Sequence, residues 1–434
     1  MTREPTNHES HAPRTNTAIE SVSALEIVDC RLDPTLRVTV RTAGGACGTA
    51  DVPCGRSTGS HEAVERRDGD DRFHGRGVEG AVETVETEID PALAGLDVTD
   101  QRAVDRALDE LDGTNDRSRL GGNTTTGVSL ATAVAAADAV GLPLYRYLGR
   151  ADVGSLPVPL FDVIEGGELA ESGLAFQEHQ LIPVGADSIS EVVRMCAETY
   201  SVLGDLLEER YDARSRNVGV EGGYTPPITD PRDAFDLALA AAEEAGYGGS
   251  FALGIDAAAS HFYDPESGTY AVLEEPFDRG ELLEFYADLE DAYPLVSIED
   301  PLEENDLEGT AELTRSLEAQ IVGDDLFVTD PDRLRDGIER GAGDALLLKV
   351  NQVGTLTEAL EAADLARRNG YDLQVSERSG QTPDTWLAEL AVGLSATQIK
   401  TGVTRGERTE QYNRLLEIER ALGDGAALAD PPWE

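Results

Sequence analysis

The sequence predicts an α/β protein in two parts: a barrel of repeated βα units, preceded by a smaller α+β domain whose antiparallel strands come before its helices. Three observations carry this. Residues 25–55 alternate apolar and polar side chains ("LRVTVRT", "GACGTADVP"), the period-two pattern of half-buried strands. Helical periodicity then dominates to about residue 150. From about residue 155, short apolar runs recur, each closing on a polar or charged residue and followed by a helical segment.

Taken in order, the chain opens on "MTREPTNHESHAPRTNTAIE", which is polar and lacks the apolar core of a signal peptide, so residues 1–24 are expected to form a disordered tail. Two or three strands over 25–55 come next. Helices are expected over "VEGAVETVETEIDPAL", "DQRAVDRALDELDG" and the Ala-rich "TTTGVSLATAVAAADAVG", which stops at Gly141-Leu142-Pro143. The Gly- and Pro-containing "GRADVGSLPVP" is the natural linker between a domain spanning 25–150 and one spanning 155–434. In the second domain "FALGID" ends at Asp256, "PLVSIED" at Glu299 and Asp300, and "QIVGDD" at Asp324. "ALLLKV" carries Lys349, "DLQVSERS" leads to Arg378 and Ser379, and "TQIK" ends at Lys400. The intervals of 43, 25, 25, 29 and 22 residues are those of βα units with helices such as "RGELLEFYADLEDA" between the strands. Such units can close into a barrel or lie as an open sheet, and both place ligands at the C-terminal strand ends. No GxGxxG or Walker-type loop follows any run, and six decorated strand ends are best accommodated around one barrel mouth.

Composition narrows the function. The 434 residues carry 84 acidic and 35 basic side chains, a formal charge of -49. A surface this negative repels phosphate backbones, so nucleic acid is excluded as a partner. An acid-rich, lysine-poor, aromatic-poor chain resembles those of organisms with molar internal salt, where screening removes the repulsion. Cys30, Cys47, Cys54 and Cys196 show no CxxC spacing, which suits a reducing cytoplasm. No stretch reaches the roughly 18 consecutive apolar residues of a membrane span.

Asp256, Glu299 and Asp324 sit at three strand ends, and three carboxylates in one mouth repel one another unless a cation lies among them. All-oxygen ligation suits a hard ion such as Mg²⁺. The chain has two lysines against thirty-three arginines, and both, Lys349 and Lys400, lie at strand ends. Arginine cannot replace a proton-abstracting amine, because it does not lose its proton. A lysine beside metal ions and a second cation can have its pKa lowered enough to act as a base. Carboxylate-held Mg²⁺ with a lysine base is an apparatus for removing a proton α to a carboxylate, the metal stabilising the ene-diolate.

These residues lie in stretches that resemble the enolase (phosphopyruvate hydratase) family from about Ile27 to Leu422. In order they are "GRSTGSHEAVERRDGD", "TTGVSLATAVAAADAVGLPLYRYLG", "FQEHQLIPVGA", "NVGVEGGYTPP", "LGIDAAASHFYD", "VSIEDPLEEND", "IVGDDLFVTDPDRL", "DALLLKVNQVGTLTEA", "SERSGQTPDTWLAELAVGL" and "QIKTG". The resemblance implies an α+β domain on a modified (βα)8 TIM-type barrel and dehydration of 2-phosphoglycerate to phosphoenolpyruvate. It implies Asp256, Glu299 and Asp324 as ligands of one Mg²⁺, and Ser57 as a loop ligand of a second. Lys349 corresponds to the general base. Glu221 and Glu178 are the acid pair that assists hydroxide departure, with Gln177 beside them. Arg378 and Ser379 correspond to phosphate contacts, and Lys400 to the lysine on the substrate's charged end. A homo-oligomer, dimer or octamer, is implied with them.

The pattern is broken within the site. Leu169 stands where GG-x-H-A has histidine, Glu377 where histidine precedes the arginine and serine, Val220 where aspartate precedes Glu221, and Glu165 in place of an asparagine. Leu169 cannot donate a hydrogen bond, and a carboxylate at 377 repels a phosphate unless it is protonated or bridged by a cation. Alternatives to the dehydratase are a superfamily lyase or racemase acting on another carboxylate, or a catalytically impaired homologue.

Overall fold

The computed structural model describes residues 16–434 apart from 57, 150–152, 171, 431 and 434. Strands β1 (Ile19–Val28), β2 (Pro34–Thr42) and β3 (Cys47–Asp51) form an antiparallel sheet in that order. The strand β1 starts within the expected tail. Ile19 and Val22 are buried against the sheet's helices, but an irregularity between Ile19 and Ser21 sets them three residues apart, which breaks the alternation that would reveal the strand in the sequence. Of the expected tail, residues 1–15 lie outside the described residues.

Helix α1 (Gln101–Asp112) starts where the Asp100 side chain accepts the Ala103 N–H and stops at left-handed Gly113. Helix α2 (Gly122–Val140) is Ala-rich and buried along most of its length, because it lies between the sheet and the barrel. Its close seat on β3 depends on Gly48, where a Cβ would come within 2.2 Å of the Ala131 carbonyl. One apolar core runs from Val38 and Val40 through α2 to Leu356, Ala359 and Ala363 outside the barrel, tying the two parts together.

The barrel is closed by eight strands: β4 (Val158–Glu165), β5 (Glu178–Pro183), β6 (Phe251–Asp256), β7 (Leu295–Glu299), β8 (Gln320–Gly323), β9 (Ala345–Leu348), β10 (Asp372–Ser376) and β11 (Gln398–Lys400). Neighbours are parallel except β5, which runs antiparallel to both β4 and β6. This reversal is the modification of the barrel, and it matters for the site. The start of β5 lies at the same end as the finish of its neighbours, with Glu178 paired in register with both Glu165 and Asp256. The segment taken as a linker contributes Ser155–Leu156, which pairs in parallel with Ala427–Leu428, while Val158 already begins the barrel. Among the described residues, no helix is long and apolar enough to cross a membrane.

Candidate active site

Lys349 follows β9 directly, its N–H donating to the Thr329 hydroxyl at 2.9 Å. Its Nζ reaches Asp324 Oδ2 at 2.5 Å, and Gln352, itself held by Thr329, donates to the other Asp324 oxygen at 2.7 Å. Burial works to raise the Asp324 pKa, but Lys349 and Lys400 outweigh it and hold the carboxyl below its ordinary value. For Lys349 burial works to lower the pKa, yet Asp324 wins and the ammonium is stabilised. The cations Arg378 and Lys400 do push Lys349 down, but less than Asp324 pulls it up.

Lys400 ends β11 inside the mouth. Its Nζ lies 2.6 Å from Glu299, 3.1 Å from Asp256 and 3.2 Å from Glu178. Gln177 adds a hydrogen bond to the same Asp256 oxygen at 3.1 Å. The three proposed metal carboxylates are therefore divided between two lysines. Asp256 Oδ1 and Glu299 Oε1 remain buried without a hydrogen-bond partner, on residues paired across β6 and β7. Two adjacent orphaned carboxylate oxygens, with no nitrogen or sulfur ligand, fit a hard cation.

Arg378 lies beyond β10 and donates to both Glu62 oxygens, at 2.8 and 2.9 Å, and to Asn351 at 3.1 Å. The Ser379 hydroxyl accepts from the Arg56 N–H at 2.7 Å and from Arg31 at 3.1 Å. Arg56 and Glu62 are thereby tied to the Arg378–Ser379 segment at the mouth. Ser57, expected on the loop between them as a metal ligand, lies outside the described residues. The space enclosed between Glu178, Glu221, Lys349, Glu377, Arg378 and Lys400 is about 20 Å³, enough for a water-sized group.

The departures acquire partners that sequence reasoning missed. Glu377 is buried and ion-paired with Arg408, whose guanidinium also donates to the Arg378 and Ser379 carbonyls at 3.0 and 2.9 Å. Burial drives the Glu377 pKa well up and Arg408 opposes it. Glu377 is therefore not a free carboxylate facing a phosphate but one arm of an internal salt bridge that braces the Arg378–Ser379 backbone. Arg408 lies on α3 (Gly406–Leu422) within "GERTEQYNR", where nothing in the sequence distinguishes it from a solvated arginine. Leu169 is buried at the end of a short turn, and its carbonyl accepts the Val220 N–H at 3.3 Å. Glu165 accepts the N–H groups of Glu221 at 3.1 Å and Gly223 at 2.5 Å, fixing the loop that carries Glu221. Burial, then the Glu221 charge, raises the Glu165 pKa to about 8.

Asp162 was also missed. It interrupts the apolar run of β4, points into the barrel and is fully buried, and Asp162, Glu178 and Glu221 each offer an oxygen within 4.8 Å of the others. Asp300 was seen as a strand-end acid, but its task is structural. It accepts the N–H groups of Asp324 and Asp325 at 3.0 and 2.7 Å, holding Asp324 in place. The two histidines nearest the site in sequence do not replace those missing from the pattern. His61 contacts Asn305, and His179 faces outward between Phe176 and Phe235.

Comparison with known proteins agrees with this geometry. Residues 19–148 match the family model "Enolase, N-terminal domain", and residues 153–431 match "Enolase, C-terminal TIM barrel domain". The chain is 54% identical over 418 residues to an enolase of Methanopyrus kandleri, covering 95% of this chain and 98% of that protein. It is 51% identical over 415 residues to an enolase of Thermococcus kodakarensis, covering 94% and 96%, and 50% identical over 407 residues to one of Methanococcus aeolicus, covering 93% and 96%.

Proposed function

The chain belongs to the enolase family, and from that premise we infer that it is a hydro-lyase, a phosphopyruvate hydratase that reversibly dehydrates 2-phosphoglycerate to phosphoenolpyruvate in glycolysis and gluconeogenesis. The observation that carries the reading is the buried lysine–carboxylate constellation at the barrel mouth, where both lysines of the chain are spent. Lys349 is the base that takes the α-proton. Lys400 receives the substrate carboxylate, Arg378 and Ser379 the phosphate, and Glu178 with Glu221, held by Gln180 and Glu165 respectively, face the leaving hydroxyl, with Gln177 beside them on Asp256. Asp256, Glu299 and Asp324 would hold one Mg²⁺ and Ser57 would help hold a second. Bound Mg²⁺ supplies electrophilic stabilisation of the ene-diolate. Were Asp324 to hold the ion, its charge would be shared and its pull on Lys349 would weaken, which would favour the neutral amine that takes the proton.

The experiment is direct. Protein in molar KCl with Mg²⁺ and 2-phosphoglycerate generates phosphoenolpyruvate absorbance, and a rate no higher than that of Lys349→Ala sinks the reading. A second reading, α-proton abstraction from another carboxylate, is favoured by one observation: Leu169 and Glu377 remove two histidines from the hydroxyl and phosphate side. Solvent deuterium entering the α position of a candidate acid, with no dehydration of 2-phosphoglycerate, selects it.

The same reading places the enzyme in a salt-rich cytoplasm as a homo-oligomer. The charge of -49 makes screening stabilising, so the melting temperature rises by about 5 °C or more between 0.1 and 3 M KCl, followed by circular dichroism. Sedimentation velocity in 3 M KCl separates dimer from octamer.

A further inference from the structure

We propose that a hard divalent cation binds among Asp162, Glu178 and Glu221, at the side of the mouth opposite Lys349 and apart from Asp256, Glu299 and Asp324. The first ground is geometry. One oxygen from each residue lies within 4.8 Å of the others, a spread that one coordination shell with metal–oxygen bonds of about 2.3–2.6 Å spans. A second, separate ground is what is missing around them. Both oxygens of Asp162 and Glu221 Oε2 are buried, and among the described residues no nitrogen or hydroxyl donates to them; the one hydrogen bond open to Asp162 is a proton shared with the Glu178 carboxyl. Glu377, which is not one of the three, is 2% exposed, borders the same small enclosed space as Glu178 and Glu221, and has Oε1 equally without a donor.

The charge count points the same way. Asp162, Glu165, Glu178, Glu221 and Glu377 crowd one side of the barrel. Glu377 has Arg408, and Glu178 shares Lys400 with Asp256 and Glu299, whereas among the described residues no cationic side chain forms an ion pair with Asp162 or Glu221. Buried carboxylates persist when paired or when they coordinate a metal. Three oxygen ligands select a hard ion over a thiophilic one. On the dehydratase reading, on which only this consequence rests, the ion would place positive charge beside the departing hydroxyl, on the side where Leu169 has replaced a histidine.

Crystals of the full chain soaked in millimolar Mn²⁺ without substrate, measured above and below the Mn absorption edge, locate the ion. An anomalous peak between Asp162, Glu178 and Glu221 is expected, separate from one at Asp256 and Glu299. Equilibrium dialysis should then show Asp162→Asn losing one Mn²⁺ per chain and Glu299→Gln losing the other, with unchanged circular dichroism. No peak at Asp162, or equal Mn²⁺ stoichiometry in wild type and Asp162→Asn, overturns the proposal. So does a protonated-carboxyl infrared band that vanishes in Asp162→Asn and is untouched by Mn²⁺, because a shared proton then does the ion's work. None of these readouts uses turnover. A chain that binds Mn²⁺ at Asp162 but forms no phosphoenolpyruvate loses the dehydratase reading and keeps the site.

Discussion

Two halves of one barrel mouth treat buried carboxylates in opposite ways. On the half built by β6 to β9, Asp256, Glu299 and Asp324 each touch a lysine, and the lysines lie on strands that feed the same opening. On the half built by β4, β5 and the loop before residue 224, Asp162, Glu165 and Glu221 gather without a cationic partner of their own, Glu165 leaning on backbone N–H groups instead. The matched half holds the residues that the proposed dehydratase reading assigns to proton abstraction. The unmatched half is where the sequence leaves the family pattern. On the proposed reading the difference teaches that the two ends of the reaction are separable in this fold: the end assigned to the proton keeps its charges paired, and the end assigned to the leaving group has been rebuilt.

The largest effect should come from the matched half. Lys349→Ala leaves no amine at the proton and should lower kcat by about 10²- to 10⁴-fold while leaving Mg²⁺ affinity within a few-fold, read by coupled assay and by calorimetry. Lys349→Arg should be as inactive, since the guanidinium keeps its proton. An arginine variant with near-normal kcat would remove the lysine from the base's role and the contrast with it.

Next in size is the buried Arg408–Glu377 ion pair, which borders the rebuilt half from the end of β10. Arg408→Leu strands Glu377 as a buried, unpaired carboxylate and should cost about 3–5 kcal/mol, read as a fall in the urea midpoint. Glu377→Gln alone should cost less, and the double variant Arg408→Leu/Glu377→Leu should recover much of the loss, because both charges are then gone. If the double variant is as unstable as Arg408→Leu, the arginine matters for the Arg378 and Ser379 carbonyls it binds, not for Glu377.

What the sequence disclosed follows the same division. Asp256, Glu299, Asp324, Lys349, Arg378 and Lys400 could be placed because parallel βα units bring their functional residues to the C-terminal strand ends. Glu178 could not be found by that rule, since β5 is reversed and its first residue, not its last, reaches the mouth; only the family resemblance supplied it. Asp162 is a single acid in an acid-rich chain, and its burial exists only once β4 closes the barrel. Arg408 owes its role to the approach of a distant helix to the end of β10, a tertiary fact with no local signature. Glu377 was read as a charge facing phosphate because its partner was invisible from the sequence. The three-stranded sheet and α2 were legible as periodicity, but the start of β1 was not, since the irregularity between Ile19 and Ser21 breaks the alternation.

The smallest and most diagnostic effect is the sign of the pH dependence of stability in each half, measured in EDTA. Glu165 has its folded pKa raised to about 8 from an ordinary 4.5, so between these values the folded chain binds more protons than the unfolded one. Stability from this group therefore falls as pH rises through that window, by on the order of 3 kcal/mol, and Glu165→Gln should flatten the curve by removing it. Asp324, held below its ordinary 3.8 by Lys349 and Lys400, works in the opposite sense. It stabilises the fold at all pH values above 3.8 and gives that up only as pH falls below it, so Asp324→Asn should lower stability at pH 7 and change nothing in the slope between pH 5 and 8. Urea midpoints of the two variants at pH 5 and pH 8 decide the matter. Equal slopes in wild type and Glu165→Gln would mean that the rebuilt half is already neutralised by something other than its own protons, and the two halves would then differ in what neutralises them rather than in how much charge they carry.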